Sequence, residues 1–338
     1  MSINIKILYT DVPGLVVHND PNIIFCGIGG SDMLPLSIAS VDNFLDVAVD
    51  CFIFFCPQWS FQKNSIFRDF YAGKLNACAK KYPGHKFTLL VNDPLDMDMS
   101  CLIDPSISIY VWNTNCTIDY SQFLSVSEAE SLLYSAFFNS RVSPYKRISL
   151  ARNVSNLAFV TSGVNESNES KIYEIARKEL PSAALLNWSE FGNYRRLRID
   201  EIISKLNSSK CGLILSEVEG QTRAVMEYLL AGLPVITTPS VGGRDRFLNP
   251  CNSIYVKPDP DSISKVVLDV DNYFFSRDLI RSNAISSLKS ERRLLLQILN
   301  DRLNVNFTSF DCLDFTGQGS SHLNKVKYFY DKLELKIY

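Results

Sequence analysis

The chain has 338 residues, 46% hydrophobic and 21% charged, with 34 Lys and Arg set against 36 Asp and Glu for a net charge of -2. That length exceeds the about 250 to 300 residues at which a single hydrophobic core stops growing, so two lobes are expected. The charge balance lacks the basic excess that gripping nucleic acid requires, and no nucleic-acid partner is expected. The first residues, "MSINIKILYTDVPG", show no charged leader ahead of an apolar core. The longest apolar run, "CFIFFC" at 51–56, is far below the roughly 20 residues that span a bilayer. The expected location is cytoplasmic, with at most peripheral membrane association. Nine cysteines lie scattered without a CxxC pair, so neither a disulfide framework nor a metal site is expected, and the thiols are expected to be reduced core residues.

Taken in chain order, short apolar runs alternate with longer amphipathic stretches, which predicts parallel strands joined by helices. The first series of strands is expected at 4–8, 22–26, 51–56, 86–91 and 107–112. Between the third and fourth, residues 65–84 carry apolar residues at helical spacing, lysines in the last turn and Pro-Gly as a stop. The second series is expected at 156–162, 183–188, 211–217, 234–238 and 252–258, with helices at about 167–180, 195–207, 221–231 and 261–274. The polar "SVSEAES" after the first series places the boundary near residue 130. The expected domains are therefore 1–130 and 131–305, both Rossmann-like, followed by a helical tail at 306–338 for which packing back on the first lobe is one arrangement; helices are expected at 287–303 and 321–335.

The stretch "CGLILSEVEGQTRAVMEYLLAGLPVITT", 211–238, concentrates the chemistry. An apolar strand delivers the chain to a loop at its carboxyl end, where ligands bind in open parallel sheets. Gly220 lets backbone approach a ligand, and the amides of Gln221, Thr222 and Arg223 are first-turn donors suited to an anion or a sugar hydroxyl. Glu219 precedes the helix and Glu227 follows it by eight residues, roughly 12 Å at 1.5 Å per residue, about the length of a sugar diphosphate. Gly232 and Pro234 end the helix, so the element is fixed at both ends.

The order Glu219-Gly220, Glu227, Ala231-Gly232-Leu233-Pro234-Val235 and Gly242-Gly243 resembles the donor-site signature of retaining family-4 glycosyltransferases of the GT-B fold, over about residues 135–265. The resemblance implies an α/β fold of two Rossmann-like domains with parallel sheets facing a central cleft. It implies that Glu219 faces the transferred sugar, that Glu227 holds the nucleotide ribose, and that the backbone of Gly220, Gln221 and Thr222 faces sugar and phosphates. The family also carries an arginine and, five residues on, a lysine that contact the donor diphosphate. Arg141 and Lys146 stand at that spacing, with Arg147 adjacent. Preorganised cations of this kind stabilise a diphosphate leaving group without a metal. Where the family usually has a glutamate three residues after Gly-Gly, this chain has Arg246.

In the first lobe the glycine-rich "CGIGGSDMLPL", 26–36, supplies Gly29 and Gly30 as candidates to cradle the diphosphate, with Ser31 or Asp32 as a helix cap. His18 and Asp32 are the candidates for a general base or acceptor-orienting group, and Asp93 is a third. The resemblance thus implies a cofactor-independent transferase. A nucleoside-diphosphate sugar would be its donor, and a glycan or lipid-linked glycan of bacterial surface polysaccharide (O-antigen, lipopolysaccharide or capsule) its acceptor. A GT-B epimerase or hydrolase and a non-catalytic sugar-nucleotide-binding subunit are the alternatives.

Overall fold

The computed structural model describes residues 15–18 and 23–29 as strand backbone, and residues 51–57, 59–123, 132–189 and 191–313. The chain divides into two compact units, one of Met1–Thr117 with Ser290–Tyr338, the other of Ile118–Lys289. The expected strand at 4–8 and the expected tail helix at 321–335 lie outside the described residues.

The first unit holds a five-stranded sheet in sequence order: β1 (Leu15–His18), β2 (Ile23–Gly29), β3 (Cys51–Pro57), β4 (Lys86–Val91) and β5 (Ser108–Val111). Strands β2 to β5 are parallel, and β1 runs antiparallel to β2. Phe52 to Phe55 of β3 are wholly buried, which explains why this strand reads as a continuous apolar run rather than an alternation. Helix α1 (Ser65–Lys81) joins β3 to β4. Its N-cap is Asn64, whose side chain accepts the Phe67 amide at 2.9 Å, and it buries Tyr71, Ala72, Leu75, Cys78 and Ala79. The chain passes from β4 to β5 through a 3-10 helix, Pro94–Cys101, in place of an α-helix.

The second unit is a six-stranded sheet in which all neighbours are parallel. Its strands are β6 (Ala136–Asn139), β7 (Leu157–Val160), β8 (Ala184–Leu185), β9 (Gly212–Ile214), β10 (Val235–Thr237) and β11 (Ser253–Tyr255), arranged β11-β10-β9-β6-β7-β8. The chain therefore steps outward from β6 to β8, returns to the other side of β6, and steps outward again. This is the doubly wound Rossmann order, and its reversal falls between β6 and β9. Helices α2 (Glu169–Glu179), α3 (Ile199–Asn207), α4 (Arg223–Leu230) and α5 (Pro260–Leu268) belong to this unit. Its core joins Phe138, Leu157, Phe159, Leu213, Leu215 and Ile236 from the sheet to Ala176, Ile263 and Val267 from the helices.

Strand β6 was not among the expected strands, although it is central in the sheet. Helix α6 runs from Arg277 to Leu303, ten residues earlier than the expected start at 287. Cys56, Cys78, Cys116 and Cys211 are buried thiols as expected, whereas Cys101 and Cys251 are exposed. Among the described residues no helix is long and apolar enough to cross a membrane.

Candidate functional site

Ligands of open parallel sheets bind outside the carboxyl ends of the strands where the winding reverses. In the second unit that position is flanked by the segment after β6, residues 140–147, and the segment after β9, residues 215–222. Close packing holds the two strands here. Tyr228 of α4 lies so tightly over Gly212 that a Cβ there would meet its ring at 2.1 Å. Its hydroxyl accepts the Asn139 amide at 2.7 Å, fixing the end of β6 against α4.

Glu219 is the hub. Its Oε1 accepts from the Lys146 ammonium, and its Oε2 accepts from the hydroxyls of Ser216 at 2.5 Å and Thr222 at 2.6 Å. The carboxylate is 8% exposed, and a charge buried to that degree persists only with such partners. Thr222 is extended (φ -132°, ψ 111°) and its hydroxyl turns to Glu219, so α4 begins without a side-chain cap. The loop itself is braced. The Glu219 amide donates to Val241 O at 3.0 Å, the Val241 amide to Glu217 O at 3.0 Å, and the Glu217 amide to Tyr145 O at 2.9 Å.

Lys146 closes a short 3-10 turn, Pro144–Lys146, and Arg147 follows in the left-handed region at φ 50°. That reversal sends the two side chains to different places. Lys146 reaches Glu219, while Arg147 Nε donates to Leu215 O at 2.7 Å and Nη2 to Thr238 Oγ1 at 2.8 Å. Arg147 thus ties the carboxyl end of β9 to that of β10. Burial pulls its guanidinium below the ordinary arginine range, with Glu217 opposing and Arg244 adding to the shift. Arg141 is exposed and lies along Gly163, beyond the end of β7, where a Cβ on the glycine would stand 3.7 Å from its Cδ and Nε. Among the described residues no carboxylate pairs with the Arg141 guanidinium.

Glu227 is 6% exposed rather than solvated on the helix surface. Its Oε1 accepts from Arg223 Nε at 3.1 Å and its Oε2 from Asn139 Nδ2 at 3.4 Å. Burial pushes its carboxyl above the usual carboxylate range, opposed by the charge and hydrogen bond of Arg223 and by the bond from Asn139. Gly220 is buried and Gln221 is half-buried beside it. The structure therefore brings Lys146, Glu219, Gly220, Gln221 and Thr222 to one end of the sheet, with Glu227 on the same helix mount. Asn139, Ser216 and Arg244 belong to this cluster but carry no signature in the sequence: Asn139 meets Glu227 across 88 residues and Arg244 meets Ser216 across 28, while Ser216, three residues before Glu219, is a common polar residue with no spacing to mark it.

The first-lobe candidates fall differently. Gly29 is the last residue of β2, paired with Pro57, so it is strand and not loop. His18 is the last residue of β1. Gly30, Ser31 and Asp32 lie outside the described residues. Asp93 caps the 3-10 turn after β4, accepting the Leu95 amide at 2.9 Å, which is a structural use of its carboxylate.

No protein-family model matches the sequence, and no curated protein matches it. Solved structures do resemble the fold. A glycosyltransferase from Rickettsia africae ESF-5 is 14% identical, covers 82% of this chain and 84% of its own, and has a TM-score of 0.53. Anabaena Alr3699/HepE in complex with UDP is 12% identical, with 79% and 76% covered and a TM-score of 0.55, and the same protein was solved with UDP-glucose. The N-terminal domain of Candida albicans trehalose-6-phosphate phosphatase is 13% identical, with 75% and 66% covered and a TM-score of 0.50. At these identities the likeness establishes the fold, two Rossmann-like α/β units of the GT-B kind.

Proposed function

We propose that the chain is a retaining glycosyltransferase that moves a sugar from a nucleoside-diphosphate sugar to a hydroxyl acceptor. The observation that carries this reading is the pairing of Lys146 with Glu219 at the reversal of a Rossmann sheet, beside the buried Glu227. A diphosphate laid across that end of the sheet meets the Lys146 ammonium, with Arg141 exposed nearby in sequence to add a second cation. Glu219 supplies a fixed carboxylate for sugar hydroxyls, and Glu227 one for a ribose diol. As the bond from the anomeric carbon to the diphosphate breaks, the leaving charge is neutralised by cations. The acceptor oxygen bonds to the same face of the sugar, and its proton passes to a phosphate oxygen.

This reading assigns charge neutralisation to side chains, so turnover should persist in EDTA. The acceptor class that suits it is a glycan or lipid-linked glycan of a bacterial surface polysaccharide. UDP-sugars are the first donors to test, because the Anabaena protein of the same fold was solved with UDP and UDP-glucose. The test is a thermal-shift panel of UDP-, GDP-, ADP- and dTDP-sugars. A ligand at 100 times its dissociation constant adds about 2.7 kcal/mol of stability. Hits are then assayed with acceptor hydroxyls, and the anomeric configuration of the product is read by NMR. A flat panel would overturn the reading. Equal consumption of the donor with and without acceptor would instead favour the hydrolase.

A further inference from the structure

We propose that Arg244 and Ser216 are positioning residues that set the orientation of the Glu219 carboxylate and so the selection for a sugar on the nucleotide, an inference that rests on the donor-site reading above. Arg244 is 1% exposed, an unusual depth for a guanidinium. It is carried inward by a 3-10 turn, Gly243–Asp245, that starts from Gly242 at φ 101° and ψ -178°, a backbone region open almost only to glycine. Asp245 balances its charge, accepting from Nε at 2.6 Å and from Nη2 at 3.0 Å. The two outer nitrogens also cap strand ends, with the hydrogens of Nη2 shared among its acceptors. Nη2 donates to Thr238 O at 2.5 Å and Thr237 Oγ1 at 2.8 Å, and Nη1 donates to Ser216 O at 2.5 Å.

The consequence for Glu219 lies in the second contact of Nη1, on Ser216 Oγ at 3.4 Å. A guanidinium only donates, so the serine oxygen accepts from it, and its single proton is directed to Glu219 Oε2 at 2.5 Å. Thr222 donates to the same oxygen at 2.6 Å. With Oε2 occupied twice by hydroxyls, Oε1 is the oxygen turned to Lys146 and outward to a ligand. Neither Arg244 nor Ser216 touches the ligand in this scheme. Each acts through the carboxylate that does.

The experiment compares Ser216→Ala, Arg244→Lys and the double variant of the full chain by calorimetric titration, using the best-binding nucleotide sugar of the panel and its parent nucleotide. Ser216→Ala is the informative variant should Arg244→Lys fold poorly, because it removes one hydroxyl and leaves the arginine cap in place. The expected result is about a 10- to 100-fold loss of affinity for the nucleotide sugar, the effect of one hydrogen bond to a charged group, with the parent nucleotide bound as before. Arg244→Lys should lose sugar selection in the same direction and add little in the Ser216→Ala background, since it acts through that hydroxyl. Equal weakening of both ligands marks a merely structural role and overturns the inference, as does unchanged sugar affinity in Ser216→Ala. Strictly additive losses in the double variant overturn the link through Arg244. If the wild-type chain binds no nucleotide sugar, the donor-site reading itself has failed, and that outcome is visible before any variant is made.

Discussion

Replacing Gly212 with alanine should destabilise the six-stranded unit. A Cβ at that position lies 2.1 Å from Tyr228 Cδ2, 2.6 Å from Cγ and 2.7 Å from Cε2. The ring has no cheap retreat. Tyr228 is wholly buried, meets Phe137 edge-on with centroids 5.9 Å apart, and holds the Asn139 amide at 2.7 Å. Overpacking of this kind costs about 1 to 3 kcal/mol. Moving the hydroxyl leaves an amide without its partner for about 1 to 3 kcal/mol more. A loss near 4 kcal/mol, with a urea m value of about 2 kcal/mol/M, moves the unfolding midpoint by about 2 M. Because two units need not unfold in one step, hydrogen exchange of peptides from β6, β9 and α4 should accompany the urea titration. The same substitution in a Tyr228→Leu background should cost markedly less, since the ring it strikes is gone. Equal cost in both backgrounds, or a midpoint within about 0.3 M of the wild type, would refute the close-packing argument.

Two further predictions concern other parts of the chain. Asp96 is 1% exposed, its Oδ1 accepts the Phe61 amide at 3.0 Å and the Ser60 hydroxyl at 3.2 Å, and its Oδ2 meets no donor among the described residues. Burial pushes its carboxyl from 3.8 up to about 6, with the bonds from Phe61 and Ser60 opposing and Asp93 and Asp98 adding to the rise. A carboxyl raised in the fold favours its protonated form there, so stability falls as pH climbs from about 4 to about 6 and stays reduced above. Asp96→Asn keeps the acceptor and removes the charge. Its melting temperature should match the wild type at about pH 4 and exceed it above about pH 6.5, and a difference independent of pH would sink the assignment. Gly232 ends α4 at φ 74°, and a Cβ there would stand 2.7 Å from Arg277 O. Gly232→Ala should cost about 1 to 3 kcal/mol in a thermal melt, from backbone strain and the clash together, and an unchanged melt would contradict it.

The elements legible in the sequence are those that local chemistry decides. Strand β4 occupies 86–91 as its apolar run predicts. Helix α4 falls between its glycine-bearing loop and the Ala-Gly-Leu-Pro stop, at Arg223–Leu230. The Glu219 and Lys146 candidates were readable because each stands in a spaced motif. Strand β6 escaped notice because four residues, "AFFN", follow an apolar run in which Leu132 and Leu133 are about half exposed, which blurs its start. Helix α6 starts ten residues before the expected 287, and Ile280 and Ala284, buried in register with Leu288 at spacings of four, already carry its period there.

Local composition therefore determined on its own that the chain is an α/β protein with a loop at 215–222 beyond the carboxyl end of a strand and a helix behind it. It could not decide the strand order β11-β10-β9-β6-β7-β8, because order follows from which side of β6 the return strand takes, and no local residue encodes that choice. That order alone brings Lys146 to Glu219 across 73 residues and Arg244 under Ser216 across 28. It also separates Arg147 from its neighbour Lys146, since a left-handed turn after β6 turns one cation to the carboxylate and the other to the strand ends. Two partners of the Glu219 carboxylate, Ser216 and Thr222, stand three residues away in its own loop, whereas Lys146 reaches it only once the sheet has closed, and for that reason the tertiary structure decided which cation the carboxylate meets.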